Sequence, residues 1–224
     1  TAMADIQKIA IHASHKPRAQ KALEELVGRY GNHKPEEADA IVVLGGDGSM
    51  LRALHQFAEL GKPLFGMNLG TLGFLLNDYK AEGLYERVNA ANGFEIHPLQ
   101  MEARDTAGAI HNELAFNEVS LLRETHSSAK IKITIDGTVR LEEIVCDGIL
   151  LSTPVGSTAY NSSAGGQIVP LNANVLPLTP ISVFRPRRWQ GALLSNKAVI
   201  EFDVRRAPER PVSATADAKE VRDV

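Results

Sequence analysis

A single cysteine, Cys146, stands among the 224 residues, so no disulfide can close within the chain. That fits a reducing compartment, and the expected location is cytoplasmic. No apolar run approaches the roughly 18 residues that a membrane helix needs, so no membrane partner is expected. Basic residues are not in excess either: 24 Lys and Arg against 27 Asp and Glu leave a formal charge of −3. No global basic field calls for nucleic acid. The phosphate-binding signature G-x-x-x-x-G-K-[ST] is missing, and Leu51 stands where G-x-G-x-x-G would need its third glycine. The seven histidines show no metal-ligand spacing, so no protein ligand for a metal is assigned. Internal repeats and low-complexity tracts are absent too.

What the chain does have is apolar material. A 44% share of hydrophobic residues against 23% charged is the balance of a globular protein with a real core. The length leaves room for one large domain or two modest ones. Thr1-Ala2-Met3 reads as a cloning scar ahead of a native Met3. The end at Asp223-Val224, just past a strand-like stretch, reads as shortened.

Residues 6–11 predict a short first strand. Pro17 opens a helix at its favoured first position, with Ala19, Ala22, Leu23, Leu26, Val27 and Tyr30 at helical spacing and Gly31 as the stop. Ala40 to Leu44 is continuously apolar and rich in β-branched residues, as suits a strand buried on both faces of a parallel sheet. After Gly45–Ser49 the pattern predicts a helix from Met50 to Leu60, a strand from Pro63 to Met67 and a helix over 80–91. This alternation implies a Rossmann-like open α/β domain over residues 3–97. Past His97-Pro98 the readings are mostly strands: 99–105, 110–122, 130–136, 138–145, 148–153, 181–184, 197–204 and 211–215. Lys130 to Ile135 alternates polar and apolar residues, and Asp136-Gly137 is a strong hairpin signal. Residues 98–224 are therefore expected to form a β-rich, sandwich-like domain.

Three segments carry chemistry. In Gly45-Gly46-Asp47-Gly48-Ser49, three glycines allow a sharp turn after a buried strand, and free N–H groups beside a helix start suit phosphate. Asp47 is its functional side chain, placed at a strand's carboxyl end, where open α/β sheets bind ligands. The plainer alternative is a tight strand-to-helix turn. Asn117-Glu118 lies in the strand-like AFNEVSLL. Adjacent strand residues point to opposite faces, so both can serve one ligand only where a bulge or strand end lies. An amide can read an adenine edge, and a carboxylate accepts ribose hydroxyl protons; an exposed polar pair on a wet face is the alternative. Residues 147–170, DGILLSTPVGSTAYNSSAGGQIVP, run from a buried strand into small hydroxyl residues and glycines, a close-fitting polar cradle for a ligand rich in hydroxyls and phosphates. Val155, Ala159, Tyr160, Ile168 and Val169 interrupt it, and Pro154 and Pro170 bracket it, unlike a flexible linker.

GGDGS, NLGTLGF, NEVSLL and DGILLSTPVGSTAYNSSAGG, in this order, resemble the NAD kinase family from about Ile9 to Val221. GGDG alone also occurs in phosphofructokinases and diacylglycerol-type lipid kinases; STPVGSTAY followed by SAGG is far more specific. The resemblance implies phosphoryl transfer from ATP, with a divalent metal such as Mg²⁺, or from polyphosphate, to the 2′-hydroxyl of NAD's adenosine ribose. Asp47 would be the catalytic aspartate and Gly48 would share its subsite. Asn117 and Glu118 would hold the adenine and ribose, and Asp147 the nicotinamide riboside half. Thr158, Ala159 and Tyr160, with Asn161, Ser162 and Ser163, would line the adenine and ribose pocket, and Phe74 would pack at its edge. Gly45, Gly46, Gly48 and Ser49 would form the phosphate loop. A homodimer or homotetramer is implied, with sites that can borrow residues from a neighbouring subunit.

The sequence also departs from the family. Ser49 stands where Thr is commoner, TAYNSS replaces TAYSLS, and Asp217-Ala218-Lys219 replaces a late D-G-Q-like motif whose contact is not carried over. Two rivals remain: a catalytically silent NAD(P)-binding sensor, and a diacylglycerol-type lipid kinase, which would need a membrane-docking helix that nothing here supplies. Arg185-Pro186-Arg187-Arg188-Trp189 reads as a solvated or interface loop with an arginine stacked on Trp189, ahead of a role with donor phosphates.

Overall fold

The computed structural model describes residues 5–71 and 73–224; the readings made at Thr1, Ala2 and Met3 lie outside them. The chain divides between Phe94 and Glu95 into two compact units.

In the first unit, strand β1 (Ile9–Ala13) leads to helix α1 (Pro17–Tyr30), β2 (Ala40–Gly45), α2 (Asp47–Phe57), a 3-10 turn (Ala58–Leu60), β3 (Leu64–Asn68), β4 (Asn77–Asp78) and α3 (Leu84–Asn89). The strands pair in parallel in the order β1-β2-β3-β4. Every residue of β2 is buried, as its unbroken apolar run requires. Ala22 and Leu26 of α1 join Ile9, Val42, Leu44, Phe65 and Met67 in one core. Pro17 starts α1 and Gly31, at φ 74°, ends it with its N–H on the Val27 carbonyl. Several boundaries differ from expectation. The first strand starts at Ile9, not residue 6; α3 is shorter than 80–91; and α2 begins at Asp47 rather than Met50.

The second unit is antiparallel throughout: β5 (Leu99–Arg104), β6 (Ile110–Ala115), β7 (Glu118–Arg123), β8 (Ala129–Ile135), β9 (Thr138–Cys146), β10 (Gly148–Ser152), a 3-10 turn (Val155–Thr158), the short helix α4 (Tyr160–Ser163), β11 (Val175–Ile181), β12 (Ala192–Ser195), β13 (Ile200–Val204), β14 (Val212–Ala216) and β15 (Lys219–Val221). One sheet runs β12-β11-β10-β7-β14-β15, another β13-β8-β9, and β5 pairs with β6. Ile131, Ile133 and Ile144 of the smaller sheet share a core with Leu121, Ile149, Leu178 and Ala214 of the larger, the sandwich arrangement expected of a β-rich domain. The alternation read over 130–135 is physical: Ile131 and Ile133 face that core, while Lys130 and Lys132 reach Glu143 and Asp203 outside. Asp136 and Gly137 both take positive φ, 50° and 73°, in the two-residue β8–β9 turn.

Two strand readings are corrected. The stretch read as one strand over 110–122 is broken at Phe116-Asn117. The strand read at 181–184 is instead β11, ending at Ile181 and lying between β10 and β12. Pro177 and Pro180 hid it, because proline argues against a strand flanked on both sides.

Candidate active site

In the first unit the site begins where β2 ends. A Cβ on Gly45 would land on the Ser49 side chain, so glycine lets α2 start directly against the strand. Gly46 is extended (φ −123°, ψ −174°), and Asp47 is already the first helical residue. The segment is therefore a tight strand-to-helix junction. A carboxylate in this first turn is favoured by the helix dipole. Asp47 is half-buried, and its oxygens are divided: Oδ2 accepts the Phe74 N–H at 3.0 Å and Oδ1 the Leu75 N–H at 3.1 Å. The loop after β3 is thus tied to the catalytic candidate, and also to β2 through the Leu69 N–H on the Gly45 carbonyl at 2.8 Å. Phe74 itself is exposed. Gly48 faces solvent, whereas Ser49 is buried and its hydroxyl accepts from the Arg52 guanidinium at 3.2 Å. The Ser49 side chain thus braces the junction rather than extending a phosphate cradle.

In the second unit, Asn117 and Glu118 sit at a strand end, the condition under which neighbours can serve one ligand. Three consecutive N–H groups meet there on one carboxylate. Asp217 Oδ2 accepts from Phe116 at 2.7 Å, and Oδ1 accepts from Asn117 at 2.9 Å and Glu118 at 3.1 Å. Glu118 is half-buried, and its Oε2, which is buried, has no hydrogen-bond partner among the described residues. Burial, and secondarily the charge of Asp217, push the Glu118 carboxyl up to about 7.

The segment after β10 wraps the same break. Thr153 Oγ1 donates to the Phe116 carbonyl at 2.6 Å, and its N–H reaches the Asn117 carbonyl at 2.9 Å. A Cβ on Gly156 would fall on the Asn117 backbone, so the 3-10 turn can pack there only with glycine. Tyr160 lies within reach of the Glu118 charge, which together with burial raises its phenol above the usual range, burial being the larger cause. Thr158, Ala159 and Tyr160 are half-buried beside this break, and Ser162 and Ser163 are exposed.

Comparison with known proteins decides the family. Residues 5–90 match the ATP-NAD kinase N-terminal domain and residues 116–209 the ATP-NAD kinase C-terminal domain. A protein of Hyphomonas neptunium named NAD kinase is 53% identical over 97% of this chain and 85% of its own length. One of Caulobacter vibrioides with the same name is 55% identical over 97% of this chain and 84% of its own. The chain belongs to the NAD kinase family. Among solved structures, an Archaeoglobus fulgidus NAD kinase in complex with ATP is 27% identical with a TM-score of 0.70, covering 96% of this chain and 86% of that one. Yeast NADH kinase complexed with NADH shares the fold, with a TM-score of 0.77 at 22% identity over 99% of this chain and 78% of that one.

Within this NAD kinase family member the remaining sequence candidates separate. Asn161 is wholly buried and its amide is committed internally. It donates to the Ser157 and Gln167 carbonyls at 3.1 and 2.9 Å and accepts from Thr179 at 2.7 Å. Its side chain holds the loop closed. Asp147 lies apart from Glu118: Glu118 pairs with Ser152 at one end of the β7–β10 ladder, and Asp147 precedes Gly148 at the other, a separation of about 17 Å at strand rise. There Asp147 accepts from Arg123 Nε at 2.7 Å. In the arginine cluster it is Phe184, not Trp189, that an arginine covers, Arg185 lying 5.5 Å from its ring. Among the described residues no three His, Cys, Asp or Glu side chains converge as a metal site would need, and no helix is long and apolar enough to cross a membrane. Sequence reasoning missed Asp217, because its contact had been set aside with the departure from D-G-Q; the retained aspartate was the signal.

Proposed function

We propose that this NAD kinase family member makes NADP by moving the terminal phosphoryl group of ATP to the 2′-hydroxyl of NAD's adenosine ribose. The observation that carries the reading is the Asp47 carboxylate. Each of its oxygens spends one lone pair on a backbone N–H, and each keeps another that can accept from a hydroxyl. The acid is fixed in orientation and still open as an acceptor.

In the reaction the ribose oxygen attacks the terminal phosphorus. The O–P bond forms as the bond to ADP breaks, and the hydroxyl proton passes to Asp47. A weak base suffices, because phosphoryl transfer has a loose transition state and the nucleophile keeps its proton until late. Such help contributes roughly 10²–10⁴-fold. Mg²⁺ on the donor's phosphates would neutralise their charge. ATP is favoured over polyphosphate as donor by the ATP complex of the Archaeoglobus fulgidus relative.

On this reading residues 3–97 supply the catalytic Asp47 and residues 98–224 the dinucleotide pocket. Glu118 and Asn117 take the adenine and ribose, walled by Thr158, Ala159 and Tyr160. Asp147, at the far end of its strand pair, would serve a neighbouring copy in a dimer or tetramer. The test is direct: purified protein with NAD, ATP and Mg²⁺ should form NADP. Binding of NAD without product would instead mark a sensor, and neither would leave the lipid kinase.

A further inference from the structure

We propose that Asp217 is a positioning residue for dinucleotide binding, one that aims Asn117 and Glu118 by clamping the strand break from which both project. The inference rests on the functional reading above and adds to it a residue from the far end of the chain.

The clamp is a single carboxylate at the β14–β15 turn. Asp217 takes φ 53°, a left-handed conformation that aspartate tolerates better than most residues. Ala216, just before it, pairs with Val119 of β7, so the turn sits beside the strand break. The Asp217 carboxylate receives the N–H groups of Phe116, Asn117 and Glu118 in succession, while its own N–H donates to the Glu118 carbonyl at 3.1 Å. Hydrogen bonds to a charged acceptor are about twice as strong as neutral ones. Without this anion, three adjacent donors at a strand break would lack their acceptor, and the break could relax into the continuous strand that the sequence pattern suggests. Asn117 and Glu118 would then point to opposite faces. Lys219, two residues on, donates to Glu113 at 2.6 Å.

The same carboxylate bears on the chemistry of Glu118. Its Oε2 is buried with no partner, as befits an acceptor kept for a ligand. Two ionisable groups face it: Asp217 from the β14–β15 turn and Tyr160 from α4. Removing the Asp217 charge should lower the Glu118 titration from about 7, yet leave it above the ordinary range, since burial is the larger cause.

The experiment is Asp217→Asn, which keeps the shape but turns an amide NH₂ toward at least one of the three N–H groups. NAD affinity by calorimetry should fall about tenfold, KM for NAD should rise more than kcat falls, and the pH step in NAD affinity should move downward. A merely structural residue would lower stability without raising KM for NAD more than it lowers kcat. An Asp217→Asn protein that binds NAD as the parent does, with the pH step in place, overturns the inference. A parent chain that binds no NAD overturns the functional reading, and this inference with it. Should the variant fail to fold, amide exchange in the parent protein decides: the Phe116, Asn117 and Glu118 N–H groups must be protected together, and free exchange at all three overturns the clamp.

Discussion

Asp47→Asn is the substitution that tests the chemistry most directly, and its cost has two separable parts. Asparagine keeps one oxygen and replaces the other with an NH₂. Of the two backbone donors now satisfied, Phe74 at 3.0 Å and Leu75 at 3.1 Å, only one keeps its acceptor. An orphaned N–H costs about 1–3 kcal/mol when buried, and here the low end applies because Phe74 is exposed. About 1 kcal/mol lowers the melting temperature by a few degrees and leaves the fold intact. The second part is the lost base, worth roughly 10²–10⁴ in rate. NADP formation at saturating NAD and ATP, read through an NADP-specific coupled dehydrogenase, should therefore drop by that factor. NAD affinity by calorimetry should change by less than about tenfold. A variant that turns over within a few-fold of the parent would refute the assignment, since no rearrangement of the Phe74–Leu75 loop can restore an acceptor for the proton.

Three further outcomes follow. Glu118 titrates at about 7 when folded, against 4.5 as an ordinary glutamate. A carboxyl raised in the folded state gives stability that is full below the unfolded value and lost as pH rises through the folded one. Melting temperatures of Glu118→Gln and the parent should therefore be close near pH 4 and diverge in favour of the glutamine as pH rises to about 7; curves that stay parallel would contradict the burial argument. Gly156→Ala, whose Cβ meets the Asn117 backbone, should cost about 1–3 kcal/mol by overpacking and weaken NAD binding, both visible in a denaturant melt and a KM measurement. Cys146 is buried, and its thiol is pushed up to about 12, chiefly by burial. A thiol reagent at pH 8 should leave it unmodified until denaturant is added, and rapid labelling of the native protein would count against that burial.

Much of this was legible in sequence because the signals were local. The run Ala40–Leu44 could only be a doubly buried strand, the spacing from Ala19 to Tyr30 a helix, and Asp136-Gly137 a tight turn. What escaped depended on partners far along the chain. The break at Phe116-Asn117 is set by a carboxylate about a hundred residues later. β11 carries two prolines that argue locally against a strand, yet its ladders to β10 and β12 outweigh them. The amide of Asn161 read as a ligand contact because nothing local reveals that Ser157 and Gln167 take both its N–H donors and that Thr179 donates to its oxygen. Ser49 was expected to meet phosphate, and only the packing of α2 on Gly45 turns it inward.

Asp147 poses the question that geometry within one chain sharpens most. It ends the β7–β10 ladder opposite Glu118, about 17 Å away at strand rise, and its charge is engaged by Arg123 at 2.7 Å. If it contributes to NAD binding at the Glu118 of its own chain, the dinucleotide must span that length along one sheet. If it serves a neighbouring copy, Asp47 and Asp147 of one working site belong to different chains. Subunit mixing separates the two. Asp47→Asn and Asp147→Asn proteins, each weakly active alone, are mixed in equal amounts, unfolded and refolded together. With sites built across chains, random assembly gives about one site in four with both aspartates intact, and activity should rise toward a quarter of the parent level. With sites built within one chain, no site regains both, and the mixture stays at the average of its components. A flat result would confine Asp147 to its own chain, beside Arg123, and overturn the shared site.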